Sequence, residues 1–295
     1  MGQDIFQKGT NRLEQNHSLD RVVDKNQHKV YVTGIKETVM GRLTKEKFGF
    51  SVPVSKNASL YTQHPYHYRD VKRLAITYET DLDPVLDILP ELVEPLTDPP
   101  QVVVTVTDVG FHIPLGPYTE SYFAIRAQFK GEAIRYVAYM WVTSDAAMAA
   151  GREIYGAPKK LGIVTLSNSL PASELIQGVV ERPAGTNIFS MSALLTGIPD
   201  PTTLKGEPAA LLKVIPDSCG AKEPAIAELL RIDSFYQIAS GPDGHLELYE
   251  GIGSISFGSA LQTDPVYELI PRKIISTYFM KMNIREEKVT LLHRY

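Results

Sequence analysis

QVVVTVTDVG (residues 101–110), YFAIRAQF (122–129) and RYVAYMWVTS (135–144) follow one another, with the turn residues Pro114, Gly116, Pro117 and Gly131 in the segments between them. Each is a short apolar or alternating run rich in Val, Ile, Thr and aromatic side chains, the pattern of a pleated strand with one buried face. VYVTGI (30–35) and RLAITYET (73–80) upstream have the same texture. So do VTLSNSL (164–170), ELIQGVVER (174–182), NIFSMSALL (187–195), ALLKVIPD (210–217), AELLRIDSFYQIASG (227–241) and HLELYEGIGSISFG (245–258) downstream. Helical signals are few. One runs from Asp83 to Leu92 with a proline in its first turn, and one from Asp145 to Ile154 with Ser144 as cap and Gly156 as stop. A further amphipathic stretch lies around Tyr267 to Met282. Sheet dominates, and closely spaced strands favour an α+β fold with a mostly antiparallel, barrel-like sheet and a few packed helices.

The 295 residues suffice to bury a substantial core without disulfides or metals. Residues 1–28 are polar and without sustained period, and read as an arm; residues 29–295 read as a single domain, with no internal repeat and no low-complexity tract. Hydrophobic residues make up 43% and charged residues 22%, values of a soluble globular chain that argue against disorder and against a membrane protein. A net charge of -4, mixed along the sequence, argues against a nucleic-acid partner. The single cysteine, Cys219, permits neither an intrachain disulfide nor a cysteine-based zinc site, and fits a reducing compartment. MGQDIFQKGTNRLEQ lacks an apolar core of signal-peptide length, and the expected location is cytoplasmic. The Asn-x-Ser triplets at Asn16 and Asn57 are common by chance and carry no weight against that.

Several motifs fail. GIGSISFGS (251–259) has Ser256 where a dinucleotide fingerprint needs its third glycine, and Ser254 where a nucleophile elbow needs its first, so it reads as a glycine-marked strand. Asp81 and Asp83 stand where a helix cap and first turn belong. His64, His67, His112 and His245 show no metal-ligand spacing, and no metal and no cofactor are expected.

YGAPKKLG (155–162) carries the chemistry. It sets Lys159 and Lys160 side by side between a proline and a glycine. An amine with a pKa of about 10.4 is protonated at neutral pH and cannot attack a carbonyl. Bringing it down by roughly 4 units needs about 5 kcal/mol against the charged form, from burial or from a neighbouring cation. If KKLGIVTLS is a strand, the two side chains diverge: Lys159 is expected inside, tuned mainly by desolvation, with Lys160 outside as a weaker electrostatic contributor or a structural tie. Two lysines beside a turn are otherwise an ordinary solvated face.

GREIYGAPKKLG (151–162) resembles the signature of the acetoacetate decarboxylase family. YETDLDPVLDILPE (78–91), LGPYTES (115–121), ALLKVIPD and SGPDGHLEL (240–248) match the family in order, so the resemblance spans roughly Pro65 to the C-terminal region. It implies that Lys159 forms a Schiff base, that Lys160 is its electrostatic neighbour, and that Glu120 is the active-site carboxylate in a general acid-base role. It also implies an arginine that meets the substrate carboxylate. An ungapped match puts Val71 there, with Arg69 and Arg73 flanking it at alternate positions that would share a strand face. A second family carboxylate is replaced by Thr105. The implied activity is decarboxylation of acetoacetate or a related 3-oxo acid without cofactor. The alternative is a Schiff-base aldolase-dehydratase acting on pyruvate or another 2-oxo acid, and a non-catalytic binding protein on the same fold is a third reading. The expected partner is a small oxo acid, with neither nucleic acid nor membrane. The resemblance further implies a homo-oligomer.

Overall fold

The computed structural model describes residues 22–24, 29–32, 35–39, 41–55, 58–167, 170, 172–204 and 206–295. They fall into two compact units, Met1–Ser59 and Leu60–Tyr295. In the first, strands β1 (Val22–Asp24), β2 (Lys29–Val32) and β3 (Ile35–Val39) pair antiparallel in that order. The polar arm expected over residues 1–28 otherwise lies outside the described residues.

The second unit holds a sheet of thirteen strands. In chain order these are β4 (Tyr66–Glu79), β5 (Val93–Pro95), β6 (Gln101–Ile113), β7 (Tyr118–Phe129), β8 (Glu132–Val142), β9 (Lys159–Leu161), β10 (Ile163–Leu166) and β11 (Leu175–Glu181). They continue with β12 (Asn187–Gly197), β13 (Ala209–Ile215), β14 (Ile226–Ile238), β15 (Leu248–Phe257) and β16 (Lys273–Arg294). Strands β4, β6, β7, β8, β13, β14 and β16 pair in succession, and β16 pairs back onto β4, so the hydrogen-bonded path closes on itself. The pairs are antiparallel except β8 with β13 and β8 with β9. The remaining path runs from β16 through β15, β12 and β11 to β10.

Alternation along the strands sorts two cores. On β6, Val102, Val104 and Val106 face a large apolar cluster with Ile176, Val180, Phe189 and Met191 from the β10–β12 branch. On β7, Phe123 and Ile125 join that cluster, while Tyr118, Glu120, Tyr122 and Ala124 face the other way into the space inside the closed path. Phe123 meets Phe189 edge to face at 4.9 Å, a contact contributing about 1 kcal/mol beyond area burial. The second cluster, with Val71, Val137, Met140, Leu211 and Ile284, supports the inner space.

The helices are shorter than the sequence pattern suggests. α1 is only Leu82–Leu86, because Pro90 cannot continue a helical hydrogen-bond ladder, and Asp81 does not cap it but pairs with Arg272 at 2.6 Å. α2 covers Asp145–Ala150, with the Ser144 hydroxyl accepting from the Ala147 amide, and passes into a wider π turn over Gly151–Tyr155. Gly156 ends that turn at φ 75°, left-handed as a C-terminal glycine should be. The amphipathic stretch near the C-terminus is strand β16 over most of its length, and GIGSISFGS lies largely in β15. Among the described residues no helix is long and apolar enough to cross a membrane.

Candidate active site

The π turn decides where Lys159 goes. The Ala157 amide donates to the Gly151 carbonyl at 2.9 Å, which folds the chain back so that Lys159 opens β9 beside Met140 of β8. Arg152 donates to the Lys159 carbonyl at 3.1 Å and fixes its backbone. The side chain then passes over Gly151, where a Cβ would stand 2.7 Å from Lys159 Cδ and 2.9 Å from Cε. A hydrogen at position 151 is therefore what leaves room for the lysine.

Lys159 is 8% exposed and points into a cavity of about 110 Å³ inside the closed strand path. That is several times the room a single water needs, and suits a small molecule. Its Nζ lies 3.4 Å from Glu120 Oε2 and 5.6 Å from the centre of the Tyr118 ring. Glu120, 7% exposed, reaches this point from β7, opposite Thr107 of β6 and Val142 of β8.

Lys160 faces the other way, as neighbours on a strand do. Its Nζ donates to the Thr263 carbonyl and lies 3.0 Å from Oδ1 of the buried Asp264. Asp264 also accepts from Trp141 Nε1 at 3.0 Å and from the Thr263 hydroxyl at 2.9 Å. Burial works against this charge, but the Lys160 and Thr263 donors, with Trp141, hold the carboxyl below the usual carboxylate range. The structure therefore brings Lys159 and Glu120 together and sets Lys160 apart, tied to Asp264.

The two flanking arginines also separate. Arg73 is 8% exposed and lines the cavity, donating from Nε to Thr107 Oγ1 at 3.0 Å, with its guanidinium 5.8 Å from the Tyr122 ring centre. Arg69 is exposed and does not line the cavity. The expectation that they share a face fails because Asp70 takes a left-handed φ of 50°, and β4 carries one extra residue relative to β16 between Tyr68 and Val71. The faces exchange at that point: Tyr66 and Tyr68 point inward before it, Arg73 after it. Among the described residues no carboxylate pairs with Arg73. Val71 is buried in the supporting apolar cluster, and Thr105 is buried on β6 opposite Tyr122.

Other residues of the cavity are not among the candidates named from the sequence. Glu286, on the far part of β16, accepts from Tyr68 OH at Oε1 and from Tyr155 OH at Oε2, both at 2.8 Å. Burial pushes its carboxyl up, against the pull of those two hydrogen bonds and of Lys159. Burial likewise raises the phenols of Tyr68, Tyr118 and Tyr155. Tyr122 goes the other way: burial works against its anion, but Arg73 and then Arg135 outweigh it. Behind the site, burial and then the charge of Lys159 press His112 down to about 4. Among the described residues no three His, Cys, Asp or Glu side chains stand close enough to share a metal ion.

A family model described as acetoacetate decarboxylase matches residues 51–295. The chain belongs to the acetoacetate decarboxylase family. It is 32% identical to the acetoacetate decarboxylase of Burkholderia cenocepacia over 187 residues, 62% of this chain and 72% of that protein. Its fold is similar to a solved acetoacetate decarboxylase structure, with a TM-score of 0.76 at 23% identity, covering 86% of this chain and 99% of the other. It is also similar to the enduracididine biosynthesis enzyme MppR complexed with pyruvate, with a TM-score of 0.70 at 19% identity, covering 84% and 99%. Family membership sets the residues of the cavity in a family named for a decarboxylase.

Proposed function

We propose that this protein is a decarboxylase of acetoacetate or a related 3-oxo acid that works through a Schiff base on Lys159. The observation that carries the reading is the buried pair of Lys159 and Glu120 in a small cavity that also holds Arg73, a guanidinium with no acidic partner among the described residues. The neutral Lys159 amine adds to the ketone, and loss of water leaves an iminium. Arg73 holds the substrate carboxylate; its C–C bond breaks, carbon dioxide leaves, and the electron pair moves through carbon to the iminium nitrogen as an enamine. Protonation of the enamine carbon and hydrolysis of the new iminium release the ketone and restore the amine. Glu120 moves protons at the nitrogen, where it stands. Arg69 has no part, being exposed, and Lys160 is a structural tie through Asp264. No step calls for a cofactor.

A second reading keeps the same lysine. Val71 and Thr105 stand in the sequence where the resemblance implies an arginine and a carboxylate, and of such a pair the cavity holds only Arg73, with no acidic partner among the described residues. In this reading the enamine forms from pyruvate or another 2-oxo acid and is quenched by an aldehyde instead of a proton, followed by dehydration. Carbon dioxide release from acetoacetate, assayed beside condensation of pyruvate with an aldehyde, separates the two, and Lys159→Ala should abolish whichever occurs. Release of carbon dioxide at the wild-type rate by Lys159→Ala would remove both.

A further inference from the structure

The reaction consumes a proton at carbon, and Glu120 stands at the nitrogen end of the site, against Lys159. A second carboxyl group lines the cavity from another strand. Glu286 Oε2 is 2.8 Å from Tyr155 OH, and Tyr155 OH is 2.8 Å from His64 Nδ1. The two rings meet edge on, 5.1 Å between centres. Tyr155 is buried, whereas His64 is partly exposed, so the three groups form a hydrogen-bonded line from a partly exposed imidazole to a carboxyl on the cavity wall. Each member can both give and take a proton: an imidazole through its two nitrogens, a phenol through one oxygen, a carboxylic acid through its hydroxyl.

We infer that His64, Tyr155 and Glu286 form a proton relay, with Glu286 as the group that protonates the substrate's enamine carbon; the inference rests on the Schiff-base reading above. The Glu286 O–H proton goes to the carbon as the enamine C=C pair becomes the new C–H bond and the nitrogen regains its iminium charge. The carboxylate left behind takes the Tyr155 proton, the Tyr155 oxygen takes the proton on His64 Nδ1 as His64 Nε2 takes one from solvent, and proton exchange of the partly exposed ring with solvent, on at Nδ1 and off at Nε2, restores the starting tautomer. A substrate filling the cavity displaces the water that would otherwise deliver this proton, which gives a built-in line its use. Glu286 is faced by Tyr66 and Tyr68 from β4, Tyr118 and Glu120 from β7, Tyr155 from the π turn and Lys159 from β9. Burial leads this set and favours the protonated acid that a donor requires. The two carboxyls then divide the work, Glu120 at nitrogen and Glu286 at carbon.

The test uses acetone in deuterated water, because enamine formation and reprotonation exchange its methyl hydrogens without any carbon dioxide step. Wild type, Glu286→Gln, Tyr155→Phe and His64→Ala are compared by NMR exchange rate and by borohydride trapping of the imine. Glu286→Gln should still trap acetone on Lys159 but exchange at least 100-fold more slowly, within the range of general acid-base catalysis. Tyr155→Phe should fall at least 10-fold, and His64→Ala should fall and recover with added imidazole in a concentration-dependent way, which a merely structural histidine would not do. Thermal unfolding and retention of the trapped imine guard against misfolding of any one variant. Trapping together with wild-type exchange in Glu286→Gln and Tyr155→Phe would overturn the relay and leave the Schiff base standing. Failure of the wild type to trap acetone or acetoacetate would overturn the Schiff base and the relay with it.

Discussion

Gly151 and Lys159 are in contact across the turn that joins α2 to β9: a Cβ on residue 151 would lie 2.7 Å from Lys159 Cδ and 3.3 Å from Nζ. The glycine is thus part of the lysine's placement. Gly151→Ala should displace the Lys159 side chain, yet change stability by less than about 1 kcal/mol, since the clash falls on the movable end of the lysine and alanine suits the helical backbone at 151 (φ -61°, ψ -44°). Loss of activity should exceed loss of fold, at least 10-fold in rate, since a displacement of about 1 Å at a reacting group can cost two orders of magnitude. Steady-state kinetics beside thermal unfolding measures both. Unchanged kinetics would mean that the lysine does not need the position described.

Arg73 and Arg69 should behave differently although both flank Val71. Arg73→Gln removes a buried guanidinium from the cavity wall, and should weaken binding of the oxo acid by roughly 10- to 100-fold, the scale of a charge-assisted hydrogen bond. Arg69→Ala, on the exposed face, should change stability by less than about 0.5 kcal/mol and binding not at all. Competition by a non-reactive carboxylate reads the difference directly.

Lys160→Met separates a structural tie from a catalytic neighbour. It leaves the buried Asp264 with Trp141, Thr263 and a more distant Arg182 at 3.6 Å, and should cost about 1–3 kcal/mol as a partly compensated buried charge. The Asp264 carboxyl is held below its ordinary range in the fold, so its contribution is present above the unfolded value near 3.9 and is lost as pH falls through the folded one. The variant should therefore unfold at a higher pH than wild type on acidification. A collapse of activity without a change in stability would instead make Lys160 the electrostatic neighbour of Lys159.

His112 predicts a second pH effect. Its imidazole is pressed to about 4, while the unfolded chain protonates near 6.5. Between those values the unfolded state binds a proton that the folded state does not, so stability falls as pH drops through that window, by up to about 3 kcal/mol, and flattens below it. His112 accepts from the Leu115 amide at Nδ1, a bond that Gln can replace, and His112→Gln should flatten the profile between pH 6.5 and 4. A wild-type profile with no slope there would show that His112 is not held neutral.

Strand parity explains much of what the sequence reveals. The alternation in QVVVTVTDVG puts three valines in one core and the threonines on the other face, and the lysine pair divides between cavity and Asp264 for the same reason. Where parity breaks, reading fails: the left-handed Asp70 turns Arg69 and Arg73 onto different faces, and nothing in YRDVKR announces it. Helix length fails at α1 because its pattern runs past what Pro90 allows. Glu286 is not legible in the sequence because it stands beside Glu287 in a charged stretch of β16, more than a hundred residues from Lys159, and only closure of the strand path onto β4 brings it to the cavity. Tyr155 lay in full view inside GREIYGAPKKLG, yet its hydrogen bonds go to residues distant in the chain.

The most direct test of the central claim is borohydride reduction of the protein incubated separately with acetoacetate and with pyruvate, followed by intact mass and peptide mapping. A Schiff-base decarboxylase predicts a reduced adduct on Lys159 whose mass shows acetoacetate already stripped of carbon dioxide. A retained pyruvate adduct on Lys159 would move the assignment to the aldolase reading. An adduct on Lys160, or none on any lysine with either acid, would contradict the account.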